Sequence, residues 1–103
     1  MALQEINEAQ LKQLGDMDVG KAAVLIYTPL CGTCKVAERM LDIAEAAGIG
    51  YRLYKANINY LPQIREQWRI TSIPCLALLD NGRVKEMIYA MHSVDYLHRL
   101  LNR

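Results

Sequence analysis

The sequence has no excess of charge of either sign, and it has no long apolar run. Its 12 lysines and arginines nearly balance its 11 aspartates and glutamates, and the basic residues are scattered along the chain. Because binding to a phosphate backbone needs a basic patch, we expect no nucleic-acid partner. No apolar run approaches the roughly 20 residues of a membrane-spanning helix, so we expect no membrane partner.

Cysteine is also scarce, and its number is odd, since the chain has three. A secreted domain of this size more often carries an even set of paired cysteines. The first residues, Met1–Glu5, show no positive segment that leads into an apolar stretch, which is the pattern of a secretory signal peptide. These features predict a cytoplasmic protein, with a chain from which a signal peptide has been removed as the alternative.

The overall composition is typical of a folded domain. Hydrophobic residues make up 52% and charged residues 22% of the 103 residues, close to the average for globular domains. A chain of this length buries one core without further cross-links. We therefore expect residues 1–103 to form a single domain.

Four segments have the apolar patterns of strands: 22–27, 51–56, 74–79 and 84–90. The first and third are continuous apolar runs, which are typical of strands buried on both faces. The second alternates like a half-buried strand. Asn81-Gly82 predicts a hairpin turn between the last two segments, because this pair readily adopts positive φ.

Helical patterns separate these strands. Asn7 is a candidate cap of a first helix that ends at Gly15-Asp16, and Ser93 is a candidate cap of the last helix. A long helix begins at the Cys31 segment and ends at Gly48, and its predicted buried stripe comprises Val36, Met40, Ile43, Ala44 and Ala47. A short helix carries Leu61, Ile64 and Trp68 on one face. The resulting order, α–β–α–β–α–β–β–α, predicts an α/β fold in which a mixed β-sheet of about four strands is flanked by helices on both faces.

Cys31 and Cys34, separated by Gly32 and Thr33, lie where a buried strand leads into a helix. This spacing brings two sulfurs within disulfide reach in the first helical turn, where the helix dipole favours a thiolate. Only the thiolate attacks a disulfide, so Cys31 is the predicted nucleophile and Cys34 the predicted resolving thiol. Gly32 leaves the approach to Cys31 open.

A Cys-x-x-Cys pair is also found as half of a zinc or iron–sulfur site, which needs four ligands. The rest of the chain offers only Cys75, His92 and His98, and two histidines six residues apart do not share a helical face. A redox dithiol without metal or cofactor is therefore the favoured interpretation. A dimer that shares an iron–sulfur cluster through Cys31 is kept as an alternative.

Over nearly its whole length the chain resembles the thioredoxin family. The matching segments are Cys31–Lys35, Lys55–Asn59, Ile70–Pro74 and Asp80–Gly82, the last three at thioredoxin-like distances from the cysteines. The resemblance implies the thioredoxin fold and thiol–disulfide exchange with disulfide-containing protein substrates. Its electrons would come from a reductase or a low-molecular-weight thiol. Tyr27–Cys31 also resembles glutaredoxins, which are the lesser match.

The resemblance also implies which residues bind the substrate. In the family, a cis peptide bond precedes the proline that matches Pro74, and this loop lies against the reactive disulfide. The backbone of the preceding residue, here Ile73, pairs with the substrate chain, and Gly32 and Thr33 lie beside it. Without the dithiol upstream, Pro74 would be interpreted as a strand-entry proline.

Two positions that depart from the family, and one lysine that matches it, are expected to modulate the activity. Leu25 replaces a buried aspartate that accepts the proton of the resolving thiol, and Leu30 replaces a tryptophan before the first cysteine. Lys55 matches a lysine beside that aspartate, so we expect it to lack an acidic partner. Because a leucine accepts no proton, we expect resolution by Cys34 to be the slower step near neutral pH.

Cys75 follows Pro74 directly. Its simplest interpretation is a small buried core residue, as most free cysteines are. The alternative is a third redox thiol or a site of regulatory oxidation.

The leading functional hypothesis is a monomeric thiol–disulfide oxidoreductase that reduces or exchanges protein disulfides through Cys31 and Cys34. The alternative is a binding or scaffold module of the same fold with little redox turnover. The departures at Leu25 and Leu30 are the features that favour this alternative.

Overall fold

The computed structural model describes residues 3–14 and 20–103. Along the chain it contains β1 (Gln4–Glu5), α1 (Glu8–Gln13), β2 (Lys21–Tyr27), α2 (Gly32–Ala46), β3 (Arg52–Asn57), a 3₁₀ turn (Ile58–Tyr60), α3 (Pro62–Gln67), β4 (Cys75–Asp80), β5 (Arg83–Ile88) and α4 (Val94–Leu100). The predicted end of the first helix at Gly15-Asp16 lies outside the described residues.

The strands form one mixed sheet in the order β1-β3-β2-β4-β5. β3 runs parallel to both β1 and β2, whereas β4 is antiparallel to β2 and β5 is antiparallel to β4. The sequence predicted about four strands, and the fifth is β1, whose two residues pair with Tyr54 and Lys55. Two residues are too short a segment to show any alternation, so no sequence pattern could indicate this strand.

The core lies on both faces of the sheet because the side chains of β2 alternate between them. Ala23 and Leu25 pack in one cluster with α2 and α4. Val24 and Ile26 pack in a second cluster that includes residues of α1 and α3. The continuous apolar run at 22–27 therefore marks a central strand that is covered on both faces, and the predicted fold class is confirmed.

The buried face of α2 differs from the predicted stripe. The buried residues of α2 are Cys34, Ala37, Leu41 and Ala44. Val36 is 58% exposed and Ile43 is 51% exposed. The two stripes share Ala44 and have the same spacing, so they differ by a small rotation of the helix. The predicted stripe is therefore right for Ala44 and in part for Met40, which packs against the core, and wrong for Val36, Ile43 and Ala47, which are exposed.

The caps and the hairpin turn follow the sequence. Asn7 and Gln10 form a reciprocal capping box at α1 with both hydrogen bonds at 2.8 Å. Ser93 Oγ accepts a hydrogen bond from the backbone of Tyr96 at α4. Asn81 and Gly82 both have positive φ between β4 and β5. Within the described part of the chain, no helix combines the length and the apolar character needed to cross a membrane.

Candidate active site

The dithiol lies at the beginning of α2, immediately after the central strand. β2 ends at Tyr27, and the backbone N–H of Cys31 donates to the carbonyl of Thr28 at 3.2 Å, which turns the chain towards the helix. Cys31 is the N-cap of α2 and forms a disulfide with Cys34, with 5.2 Å between their Cα atoms. The two cysteines are therefore bonded to each other within one helical turn.

Two hydrogen-bond donors face the sulfur of Cys31. The backbone N–H of Cys34 donates to Cys31 Sγ at 3.1 Å, and Thr33 Oγ1 lies 3.3 Å from the same sulfur. These donors lie at the N-terminus of α2, where unpaired N–H groups carry partial positive charge. Both donors therefore direct partial positive charge at the sulfur of Cys31.

The two cysteines differ in their access to solvent. Cys31 is partly exposed, whereas Cys34 is only 2% exposed. Gly32 is exposed, and a Cβ atom built on it would meet no heavy atom within 4 Å. Cys31 is therefore open to approach from solvent, whereas Cys34 is not.

An apolar groove of about 360 Å³ runs beside the dithiol. Its lining residues are Thr33, Val36, Ala37, Met40, Pro74, Tyr89 and Met91. The groove therefore brings together two predicted substrate-binding residues, Thr33 and Pro74. The sequence did not predict the groove, because its apolar pattern assigned Val36 to the core. In the structure Val36 is 58% exposed and lines the groove. An apolar residue this close to Cys31 is the sequence feature that could have indicated it.

The Ile73–Pro74 peptide bond is cis. Ile73 lines a second, smaller cleft together with Thr28 and Thr71, and Pro74 lines the apolar groove. The loop that contains the cis bond therefore lies between two depressions. Leu30, directly before Cys31, is 97% exposed and extends the apolar surface around the dithiol.

Leu25 lies in the centre of the sheet, fully buried, opposite Lys55 on β3 and Leu76 on β4. The expectation that Lys55 lacks an acidic partner is wrong. Its Nζ lies 2.9 Å from Oε2 of Glu38 on α2, and both side chains are largely shielded from solvent. The family pattern places the partner on β2, whereas here the helix that covers this face of the sheet supplies it.

The pair belongs to a polar cluster that comprises Glu5, Tyr27, Glu38 and Lys55. Lys55 Nζ lies 5.4 Å from the centre of the Tyr27 ring. The Tyr27 hydroxyl donates to the Glu5 carboxylate, with distances of 2.6 and 2.7 Å to its two oxygens. Burial raises the pKa of Tyr27 well above its usual range, and the Glu5 carboxylate adds to this. Tyr27 is therefore a neutral hydrogen-bond donor.

Cys75 is fully buried in the cluster of the α1 and α3 face. Burial raises the pKa of its thiol to about 11, although a hydrogen bond with Tyr89 acts in the opposite direction. Near neutral pH the group is therefore a protonated, inaccessible thiol. These features favour the interpretation as a core residue over that of a third redox thiol.

His92 packs edge-on against Tyr96, and His98 lies within hydrogen-bond distance of Asn102. Within residues 3–14 and 20–103, no three side chains of histidine, cysteine, aspartate or glutamate are grouped so that they could hold a metal ion.

The fold and the site define a thioredoxin-fold protein with a Cys-x-x-Cys dithiol at the beginning of the helix after its central strand. The chain matches the family model described as Thioredoxin over residues 4–103. The chain belongs to the thioredoxin family.

Individual relatives support the same assignment. The chain is 36% identical to the thioredoxin-like protein YusE of Bacillus subtilis (strain 168), over 98% of this chain and 92% of that protein. It is 30% identical to a thioredoxin of Chlamydia caviae, over 82% of each chain. A solved structure of a mutant thioredoxin from Halobacterium salinarum NRC-1 superposes with a TM-score of 0.81 at 18% identity, over 97% of this chain and 88% of that one.

Family membership together with the Cys31–Cys34 pair identifies the general activity. The protein is a thiol–disulfide oxidoreductase of the thioredoxin type.

Proposed function

We propose that the protein reduces or exchanges disulfides of protein substrates, with Cys31 as the nucleophile and Cys34 as the resolving thiol. The Cys31 thiolate attacks one sulfur of the substrate disulfide, which forms a mixed disulfide and releases the first substrate thiolate. Cys34 then attacks Cys31 Sγ, which closes the Cys31–Cys34 disulfide and releases the second. The dithiol loses two electrons, and the substrate disulfide gains them.

The observation that carries this proposal is the asymmetry of the two cysteines. Cys31 is partly exposed and its Sγ faces two hydrogen-bond donors at a helix N-terminus, whereas Cys34 is buried. An exposed thiolate is suited to attack an external disulfide, and a buried thiol one turn away is suited to attack only its neighbour.

The surface around the dithiol supports a protein substrate. We assign substrate binding to Gly32, Thr33, Ile73 and Pro74, with the backbone of Ile73 pairing with the substrate chain. Leu30 and the apolar groove would contact side chains on either side of the substrate cysteine. Substrates with apolar residues beside their disulfide are therefore favoured.

The regenerating electrons would come from a reductase or a low-molecular-weight thiol, which reopens the Cys31–Cys34 disulfide by the reverse steps. We further propose that the protein works as a cytoplasmic monomer, because one chain supplies both thiols and the groove beside them.

Substitution of each thiol tests the assignment. Cys31→Ser is expected to abolish reduction of insulin disulfides, because it removes the partly exposed thiol and leaves only buried ones among the described residues. Cys34→Ser is expected to accumulate mixed disulfides at Cys31, because nothing resolves them. Iodoacetamide at mildly acidic pH should label Cys31 of the reduced protein first, which mass spectrometry of peptides would show.

Cys75→Ser is the matched control, since it removes a buried thiol outside the motif, and it should leave insulin reduction unchanged. First labelling of Cys34 or Cys75 would reverse the assignment of the nucleophile. Full reduction of insulin by Cys31→Ser would show that Cys31 is not the nucleophile.

A binding or scaffold module is the second candidate function, and the buried Leu25 together with the exposed Leu30 favours it. In that case the native protein would turn over insulin no faster than Cys31→Ser, while still retaining protein partners. Measured turnover by the native chain decides between the two functions.

A further inference from the structure

The resolving step needs a proton acceptor for Cys34. Cys34 is 2% exposed, so bulk water does not reach its thiol freely. Leu25, at the position where the family has an aspartate, is itself fully buried and has no group that takes up a proton. A thiol becomes nucleophilic only when it is deprotonated. Another base near Cys34 is therefore required for fast resolution.

Glu38 is placed to act as this base. It follows Cys34 by four residues on α2, so the two side chains share one face of the helix, with Cβ atoms about 5–6 Å apart. Side chains on a helix lean towards its N-terminus, so Glu38 leans over the turn that carries Cys34. The Glu38 side chain is 24% exposed.

Lys55 fixes the position of this carboxylate. Its Nζ lies 2.9 Å from Glu38 Oε2, and its backbone lies opposite Leu25 in the parallel pairing of β2 with β3. The carboxylate is thus tied to the strand position that neighbours the missing aspartate. The carboxylate belongs to a residue of α2, which covers this face of the sheet, and not to a residue of β2.

We infer that Glu38, oriented by Lys55, accepts the proton of Cys34 when the mixed disulfide is resolved. The inference deepens the proposed function and rests on it. The Cys34 S–H bond breaks and its proton moves to the Glu38 carboxylate. The Cys34 thiolate then forms a bond to Cys31 Sγ, the bond from Cys31 to the substrate sulfur breaks, and the substrate leaves as a thiolate. Glu38 afterwards returns its proton to solvent.

The charges that face Glu38 come from each element packed around it. Lys55 on β3 stabilises the carboxylate, and the neutral hydroxyl of Tyr27 on β2 is engaged by Glu5 on β1. On α2, Asp42 lies one turn beyond Glu38, and its Oδ1 is a buried atom without a hydrogen-bond partner among the described residues. Lys55 is the cation among these groups that contacts the Glu38 carboxylate directly, and its role is to hold that carboxylate in place.

Stopped-flow kinetics with an aromatic nitrobenzoate disulfide separates the two chemical steps. Attack by Cys31 releases the first coloured thiolate at a rate proportional to reagent concentration. Resolution by Cys34 releases the second at a rate independent of it. Glu38→Gln should slow the second release about tenfold or more at neutral pH, since a positioned acid–base group contributes at least that much. The rate of the first release should stay unchanged.

The pH profile distinguishes proton transfer from a loss of structure. In Glu38→Gln the rate of the second release should rise steadily with pH, as hydroxide takes over, whereas the native profile should be flatter. Glu38→Asp should give an intermediate rate, since it keeps a carboxylate on a shorter side chain. Lys55→Met should slow the same step, because it frees Glu38 from its position.

Glu45→Gln is the matched control, because it removes a carboxylate about three turns from Cys34 on the same helix. It should leave both releases unchanged. An unchanged second release in Glu38→Gln, with two equivalents of thiolate still formed, would overturn the role of Glu38 and leave the proposed function intact. Absence of both releases in the native protein would instead contradict the proposed function.

Discussion

Thr33 shows how one residue between the cysteines affects the chemistry of the pair. Its hydroxyl lies 3.3 Å from Cys31 Sγ, within reach of a thiolate on that sulfur. Stabilising the thiolate stabilises the reduced form of the protein, and a more stable reduced form makes the disulfide a stronger oxidant. The proline that the family has at this position offers no such donor.

We therefore predict a reduction potential between about −270 mV, the value of thioredoxin, and about −180 mV, the value of disulfide isomerase. Equilibration with glutathione buffers measures it. Thr33→Val, which keeps the shape without the hydroxyl, should shift the potential to a more negative value. A native potential below the thioredoxin value would contradict the role given to Thr33.

The buried thiol of Cys75 predicts how the stability of the fold depends on pH. The pKa of its thiol is raised from 9.0 to about 11 in the folded protein, because burial disfavours the thiolate. The folded state then holds the proton more tightly than the unfolded state does. The contribution to stability is complete below about pH 9, and it is lost as the pH rises from 9 to 11.

Urea unfolding of the reduced protein between about pH 8 and 11 measures this loss, with Cys75→Ala as the comparison. The free energy of unfolding of the native chain should fall more steeply over this range than that of Cys75→Ala, because only the native chain loses the tightly held thiol proton. Both chains contain Tyr27, which also titrates at high pH, so the difference between them isolates Cys75. Parallel curves would show that Cys75 titrates normally.

At the scale of elements, α2 has two apolar faces with different tasks. One packs on the sheet through Ala37, Leu41 and Ala44, and the other exposes Val36 beside the dithiol and Ile43 further along. With this face turned to the core, Glu38 lies beside it and its carboxylate contacts Lys55 Nζ at 2.9 Å. The rotation of this helix therefore positions both the apolar groove and the polar cluster.

A pair of alanine substitutions tests this rotation. Leu41→Ala should lower the free energy of unfolding by about 2–5 kcal/mol, because it leaves a cavity in the core. Ile43→Ala should change it by less than about 0.5 kcal/mol, because its side chain is half in solvent. Chemical denaturation of both variants gives the two values. A larger loss of stability in Ile43→Ala than in Leu41→Ala would support the buried face predicted from the sequence.

At the scale of the whole molecule, one residue of the central strand β2, Leu25, affects both the stability of the core and the proton transfer from Cys34. Leu25 fills the core between the sheet and α2 at the position where the family places its acid. The hydrocarbon side chain avoids the cost of a buried ionisable group. The protein thus has an apolar centre, and its carboxylate lies on a helix at the edge of that centre.

Leu25→Asp should reverse this arrangement. We expect faster resolution by Cys34, because the new carboxylate accepts its proton, and a loss of at least about 3 kcal/mol in stability from the buried polar group. The gain in rate should be larger when Glu38→Gln is also present. Leu25→Asn is the control, because it has a similar cost in stability and no proton acceptor. Equal resolution rates for the aspartate and asparagine variants would exclude the relay at this position.

The sequence by itself determined the features that depend on neighbouring residues. The capping box at Asn7, the Asn81-Gly82 turn, the buried runs of β2 and β4 and the placement of Cys31 at a helix N-terminus all follow from local chemistry. The family pattern added the expected neighbourhood of Pro74. Each of these depends on spacings along the chain, which the sequence shows directly.

Only the tertiary structure decided the rest. The two-residue β1, the rotation of α2 and the pairing of Lys55 with Glu38 arise from contacts between segments far apart in the sequence. An apolar pattern shows which residues of a helix are apolar, but packing in the core with the sheet and α4 selects which of them are buried. The acid that is missing from the sequence at Leu25 is therefore supplied from another element, because packing α2 on β3 brings a helical carboxylate to a strand lysine.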